Sequence, residues 1–305
     1  MWQVVADPYE HAPWYKDWLT GLKQGFDALQ APLSVVDMDE AERHPHRCTI
    51  LSTWRLNVLL SRFRAKSCVV VEHTASNPLS VLARGGYHHL DAPAVKLVIT
   101  TTPAMARWIA RRSPPAVPVV PIGFPYGRPL DGTPQPYLQR DRLAVFPQRI
   151  DEEYQPMLAV QLAVALRAAG WRTEFWTPAK PPPRYPVQEW AALGIPVVVA
   201  GRRPFLTRLE EARLAIFTPA SAGVIVAAYE AYRLGCAPLV PAGGRGMPPW
   251  THDIYRPTYN PLMAYEVLYY ANEAANTNLY GQIHVETRWF DPATCVATLL
   301  SAWRD

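Results

Sequence analysis

Cysteine is scarce in this chain and it is scattered. Cys48, Cys68, Cys236 and Cys295 are the only four in 305 residues. They show no CxxC spacing and no short framework, so reduced thiols are expected rather than a disulfide scaffold. His44 and His46 lie close together, as do His88 and His89, but neither pair has a second half-site at zinc-ligand spacing, so no metal site is expected. Long apolar runs are missing too. Runs such as 69–71 and 197–200 have the length of a strand, and none approaches the ~20 residues that cross a bilayer. The start, Met1-Trp2-Gln3-Val4-Val5, has no basic flank, apolar core or cleavage site of a secretory signal, and reads as the first strand of a cytoplasmic protein. Lysine is the last scarcity. Only Lys16, Lys23, Lys66, Lys96 and Lys180 occur, so 25 of the 30 basic residues (30 − 5) are arginine.

Apolar residues are abundant, at 49% against 18% charged, enough for two buried cores in a chain of this length. The net charge of +4 and pI of about 8.9 make a mildly basic, arginine-rich surface, which suits phosphate contacts and permits a nucleic-acid partner without requiring one. The 32 prolines, many in loops, suit a thermally robust chain. Short apolar strands alternate with amphipathic helices almost throughout, the sequence form of a parallel sheet covered on both faces. In the first half, strands are expected at 2–6, 33–37, 49–52, 68–72, 96–100 and 118–122. Helices are expected at about 14–29, 55–66, 78–84 and 103–112. Leu19, Leu22, Phe26 and Leu29 recur at helical steps and predict one apolar face.

The alternation then breaks. Residues 127–140 (GRPLDGTPQPYLQR) are rich in proline and glycine, lack any period, and read as an interdomain linker. Beyond it the pattern restarts, with strands at 143–146, 173–176, 197–200, 214–218 and 237–241. Helices are expected at 155–169, 187–193, 204–212 and 224–234, and a helical pattern follows residue 261. The expected architecture is α/β: two Rossmann-like domains, 1–127 and 141–305, facing a central cleft. In such sheets ligands bind at the carboxyl ends of the strands.

Four stretches carry a more specific signal. They are VKLVITTTPAMARWIAR at 95–111, VPVVPIGFPY at 117–126, AVFPQRIDEEYQP at 144–156, and residues 212–241 with Tyr229-Glu230-Ala231 followed by Gly235-Cys236-Ala237-Pro238-Leu239-Val240. In order and spacing they resemble the retaining GT-B glycosyltransferases related to glycogen synthase and to many bacterial sugar transferases. The resemblance implies transfer of a sugar from a nucleotide-sugar donor to an acceptor, with the donor as co-substrate and with neither metal nor other cofactor. It places Glu230 where one carboxylate accepts two vicinal ribose hydroxyls from within an open cleft. It places Arg149, just past a strand end, against the donor diphosphate, where a guanidinium stabilises the charge of the leaving phosphates.

Ser221, Ala222 and Gly223 precede the Glu230 helix, and small residues there let backbone N–H groups and the helix dipole approach a phosphate. Ser221 also suits an ordinary N-cap. The chain departs from the resembled pattern in three places. Ala222 stands where a second glutamate is usual, Tyr154 where a lysine is usual, and Thr177-Pro178-Ala179-Lys180-Pro181 replaces a glycine-rich turn. Lys180 is then the candidate for the missing positive charge.

On the first domain's side, a histidine is usual at the end of the strand corresponding to 68–72, which makes His73 the first candidate for a polar group at the reacting sugar. Glu72 beside it is the candidate base if the enzyme inverts. Asp7, Glu10 and His11 follow the first strand and suit acceptor binding or general-base work. Trp14, Trp54, Trp176 and Trp250 lie near loops and could offer faces to a sugar or a base. Two alternatives stay open: a glycosyltransferase acting on a modified base in DNA or tRNA, and a non-catalytic protein that binds a nucleotide sugar or glycan.

Overall fold

The computed structural model describes residues 1–6, 13–44, 47–52, 68–72, 93–111, 117–130, 134–218, 226–241, 255–256, 258–259 and 264–303. The helices expected at 55–66 and 78–84 lie outside these. Packing divides the chain into two compact units, one of Met1–Pro129 with Glu286–Asp305 and the other of Leu130–Val285.

The first unit is built on a six-stranded sheet of β1 (Trp2–Val5), β2 (Leu33–Val36), β3 (Cys48–Ser52), β4 (Cys68–Glu72), β5 (Val95–Thr100) and β6 (Val119–Pro121). The strand order is β2-β1-β3-β4-β5-β6, and every pairing is parallel. Strands buried on both faces read as near-continuous apolar runs, which is why WQVV and VKLVIT stand out in the sequence. Helix α1 (Pro13–Ala28) lays Tyr15, Trp18, Leu22 and Phe26 into the core. The buried stripe sits closer to the N-terminus than the expected face, and Leu29 is left exposed. Helix α2 (Met38–Arg43), absent from the sequence reading, is held by its cap: the Asp37 carboxylate accepts from the Glu40 N–H at 2.8 Å. Helix α3 (Pro103–Ala110) begins the same way, with Thr102 accepting from the Met105 N–H and Pro103 at the first helical position.

The C-terminal helix α10 (Pro292–Ala302) packs on α1 rather than on the second sheet, where the sequence reading placed it. Gly25 of α1 makes room for it, because a Cβ there would lie 2.2 Å from the Pro292 carbonyl oxygen. Trp303 then sets its edge against Trp2, with ring centroids 5.2 Å apart. The turn before α10 is pinned to the segment after β6: Phe124 N–H donates to the Trp289 carbonyl and Tyr126 N–H to the Phe290 carbonyl. Gly123 makes this approach possible. Its φ is +93°, and a Cβ would stand 2.3 Å from the Trp289 oxygen. Gly123→Ala is expected to destabilise the protein by about 2–4 kcal/mol, the sum of left-handed strain and a displaced backbone contact, read as a lowered denaturation midpoint.

The second unit restarts the pattern with β7 (Asp141–Pro147), α4 (Pro156–Ala168), β8 (Arg172–Thr177), α5 (Val187–Ala192), β9 (Val197–Val199), α6 (Arg202–Glu211), β10 (Ala212–Ile216), α7 (Val226–Arg233) and β11 (Ala237–Pro241). The two-residue strands β12 (Tyr255–Arg256) and β13 (Thr258–Tyr259) follow, then α8 (Ala264–Ala271), α9 (Glu273–Gln282) and β14 (His284–Val285). The order of its six-stranded parallel sheet is β13-β11-β10-β7-β8-β9, while β12 and β14 form an antiparallel ribbon. The core is aromatic in the middle, where Phe146 stacks on Phe175, which in turn meets Trp190 of α5.

The proline-rich 127–140 stretch, expected as a plain linker, is fastened at both ends. Gly127 N–H donates to the Asp17 carbonyl and Arg128 pairs with the Asp17 carboxylate at 2.9 Å. At the other end the buried Arg140 sends its guanidinium to the carbonyls of Gln135, Leu209, Ala212 and Leu234.

Candidate functional site

The second sheet itself locates a site. Its chain starts at β7, winds outward through β8 and β9, crosses back to β10, and then winds the other way through β11. Loops leaving the carboxyl ends of β7 and β10 therefore diverge, and the crevice between them is the place where a doubly wound sheet takes its ligand. Two buried polar residues occupy it. Gln148 follows the end of β7 and Thr218 follows β10. The Gln148 Nε2 donates to Thr218 Oγ1 at 2.7 Å, and the Thr218 N–H donates back to Gln148 Oε1 at 2.9 Å. The Thr218 hydroxyl then donates to the Tyr154 carbonyl at 2.6 Å. This closed set satisfies the polar groups at the floor of the crevice and fixes the loop after β7 against the loop after β10.

Arg149 sits on that fixed loop. Its side chain is 51% exposed, its Nε lies 3.3 Å from Asp151 Oδ2, and its guanidinium stands 5.1 Å from the centre of the Tyr154 ring. Tyr154, found where a lysine was expected, thus carries no charge of its own but supports the neighbouring one. Lys180 is exposed on the loop after β8, and among the described residues no hydrogen bond or ion pair links it to the Arg149 loop. That loop is tied to the turn after β7 by Arg184, whose Nη1 lies 3.0 Å from Glu152 Oε1.

Glu230 differs from its expected setting. A ribose ligand in an open cleft would be partly exposed, yet Glu230 on α7 is fully buried, and Arg202 at the start of α6 forms an ion pair with it. A buried carboxylate needs such a partner, because desolvation otherwise favours its neutral form. Trp176 is half-buried and locked. Its indole N–H donates to Glu174 Oε2, and Arg208 bonds Glu174 and reaches over the Trp176 ring. Burial raises the Glu174 carboxyl pKa, but the hydrogen bonds from Arg208 and Trp176 outweigh it and leave the group below its ordinary value. A shallow depression of about 410 Å³ lies beside it, lined by Trp176, Arg203, Pro204, Thr207, Arg208 and Glu211.

The remaining candidates lie at the edge of the description or beyond it. Ser221, Ala222, Gly223, His73, Asp7, Glu10 and His11 are outside the described residues, as are Trp54 and Trp250. Glu72 closes β4, pairing in register with Thr100, and its side chain is outside the description. Among the described residues, no disulfide joins Cys48, Cys236 or Cys295. Burial pushes the Cys236 thiol up to about 12 although Arg140 pulls the other way, so it stays protonated. Among the described residues no group of three or more His, Cys, Asp or Glu could hold a metal ion, and no helix is long and apolar enough to cross a membrane.

Gln148, Thr218 and Arg202 were not singled out from the sequence. The first two are polar residues just past strand ends, a signal that acquires meaning only when β7 and β10 are known to be neighbours.

No known family's sequence profile matches the chain, and no curated protein matches it by sequence. Solved structures do match by fold, and the fold is that of the GT-B glycosyltransferases. A Staphylococcus aureus TarM mutant in complex with fondaparinux, alpha-GlcNAc-glycerol and UDP aligns with a TM-score of 0.60 at 11% identity, covering 83% of this chain and 55% of that one. The alpha,alpha-trehalose 6-phosphate synthase of Burkholderia multivorans aligns with a TM-score of 0.58 at 14% identity, over 93% of this chain and 78% of that one. The pneumococcal O-GlcNAc transferase GtfA, in complex with UDP and GlcNAc, aligns with a TM-score of 0.54 at 14% identity, over 86% and 54%. The chain thus spans little more than half the length of TarM and GtfA.

Proposed function

We propose that this chain is a glycosyltransferase that takes a sugar from a nucleotide-sugar donor, with the nucleotide held by the second unit. The observation that carries this is the crevice between β7 and β10, floored by the Gln148–Thr218 pair and bearing Arg149 on a loop that the pair immobilises. Structures of the same fold hold UDP, which supports a nucleoside diphosphate as the ligand. Arg149 supplies positive charge to the diphosphate, helped by the backbone around Ser221, Ala222 and Gly223 and by Lys180. Glu230 accepts the ribose hydroxyls. His73 stands at the reacting sugar, with Glu72, Asp7, Glu10 and His11 serving the acceptor side. Transfer retains configuration and uses no metal, because cationic side chains and a helix N-terminus hold the leaving diphosphate. No feature of the described residues favours a nucleic-acid acceptor or a purely binding role.

A thermal-shift screen against UDP-, GDP-, ADP- and TDP-sugars tests this, since a ligand at 100 times its Kd stabilises by ~2.7 kcal/mol. A positive hit should be followed by release of the free nucleoside diphosphate. Absence of any shift with all four donor classes would overturn the proposal.

Glu230→Gln keeps the shape of the side chain and removes its charge. It is expected to weaken donor binding by about 1–3 kcal/mol, the scale of a charge-assisted hydrogen bond. Because Glu230 is buried against Arg202, the substitution should also lower the melting temperature, unlike a change at an open cleft residue. Calorimetry that finds wild-type donor affinity in this variant removes Glu230 from the site.

A further inference from the structure

The depression beside α6 is built on a fixed aromatic ring. Trp176 lies one residue before the end of β8 and pairs in register with Pro147 of β7, so β7 stands between it and β10. The rest of the lining, Arg203, Pro204, Thr207, Arg208 and Glu211, comes from α6, at the three- and four-residue steps of one helix face. The Trp176 indole N–H donates to Glu174 Oε2 at 2.9 Å, and Arg208 Nε donates to the same oxygen at 2.8 Å. The Arg208 Nη atoms bond Glu174 Oε1 and Glu211 Oε2. With its one donor occupied, Trp176 has only its ring to offer a solute, and a ring already held loses little freedom on binding.

Arg208 is thus neutralised by two carboxylates. Arg203, the other cation of the lining, is exposed and has no ion pair or hydrogen bond among the described residues. It stands ~12 Å along the helix from Glu211, eight residues away, so that carboxylate does not compete for it. The Thr207 side chain is exposed between them. One aromatic wall with open solvent opposite suits a pyranose ring, whose C–H face packs on the indole while its hydroxyls reach Thr207, Glu211 and water. A nucleobase would gain from a second wall, and Trp176 is the aromatic group of this lining.

We infer that this depression is a saccharide subsite separate from the nucleotide crevice, and that it takes a sugar bearing an acidic group, either a uronate carboxylate or a phosphate ester. The sugar ring lies on Trp176. The anion lies on Arg203, whose planar guanidinium presents two parallel N–H donors to such oxygens.

Calorimetric titration of the full chain tests this with two acidic ligands, tetragalacturonate and glucose 6-phosphate, and their neutral counterparts, methyl-esterified tetragalacturonate and glucose. At least one acidic ligand is expected to bind with a Kd below about 1 mM, and about tenfold or more tightly than its counterpart, the equivalent of ~1.4 kcal/mol. Which of the two binds tells a carboxylate from a phosphate ester. Trp176→Ala should weaken binding tenfold or more. Arg203→Ala should remove the preference for the acidic ligand and leave the neutral one unchanged, a split that a merely structural role would not produce. If Trp176→Ala does not fold, Thr207→Trp, which fills the depression from an exposed position, takes its place and should block binding.

Binding of neither acidic ligand, equal binding of acidic and neutral forms, or affinity unchanged in a folded Trp176→Ala or Thr207→Trp overturns the inference. Competition by UDP, GDP or ADP also overturns it, by giving the depression to the nucleotide. Saccharide binding that survives in the absence of any donor binding would leave this subsite standing and remove only the nucleotide assignment.

Discussion

Arg149→Ala is expected to lower sugar transfer by ~10²–10³, the cost of removing one preorganised group from a position where charge develops. Breaking the bond between sugar and diphosphate leaves negative charge on the departing phosphates. Of the cationic positions that the resemblance supplies, a lysine five residues beyond Arg149 is replaced by Tyr154. In the proposed site Arg149 would then carry more of the burden than in a site with two cations. The structure is consistent with such a role, since the guanidinium is exposed yet held by Asp151 on one side and the Tyr154 ring beneath, and the loop is fixed by Gln148 and Thr218. A group tethered in this way needs little reorganisation when charge appears beside it. Single-turnover transfer with saturating donor measures the effect on chemistry apart from binding. Transfer that survives Arg149→Ala within about threefold would mean that another group meets the leaving phosphates, and collapse of wild-type transfer under EDTA would mean that a metal ion does.

The largest stability loss is expected at Arg140. The residue is 2% exposed, and its guanidinium donates from Nη1 to the Leu209 and Ala212 carbonyls at 3.2 and 3.0 Å, from Nη2 to Leu234 at 2.5 Å, and from Nε to Gln135 at 3.1 Å. Three of these, Leu209, Ala212 and Leu234, are carbonyls at the ends of α6 and α7, where a helix lacks internal partners and attracts a positive charge. Burial lowers the pKa of the guanidinium from its ordinary value, while neighbouring groups, Cys236, Tyr280 and Glu210 among them, raise it. Arg140→Met removes four donors while preserving much of the apolar volume, and leaves buried carbonyls to be desolvated without compensation. The expected loss is about 3–5 kcal/mol, or roughly 10 °C in melting temperature. Arg140→Lys should rescue little, because one ammonium cannot fork to carbonyls from two helices. A melting temperature for Arg140→Met within about 2 °C of wild type would show that the helix ends find water or other partners instead.

The strands and helices of both units were largely legible in the sequence because a parallel sheet covered on both faces needs short apolar runs at regular intervals. VVVE at the end of β4 and APLVP in β11 each show this requirement locally. Glu230 and Arg149 stood out as candidates through the stretches around them. Elements too short to show a period were not: β12, β13 and β14 are two residues each, and α2 is specified mainly by the Asp37 cap. The helical tail read as part of the second unit because nothing local marks its partner; it returns to α1 through a groove opened by Gly25.

The sequence by itself determined the class of architecture, because burial periodicity and turn chemistry are written residue by residue. Tertiary structure alone decided the strand order, and with it the crevice between β7 and β10. It also decided that Gln148 meets Thr218, that Tyr154 supports Arg149, and that Arg202 shields Glu230. These pairs are distant in the chain or have no periodic signature. They form only when the hydrophobic sheet closes and brings buried polar groups together that must then satisfy one another.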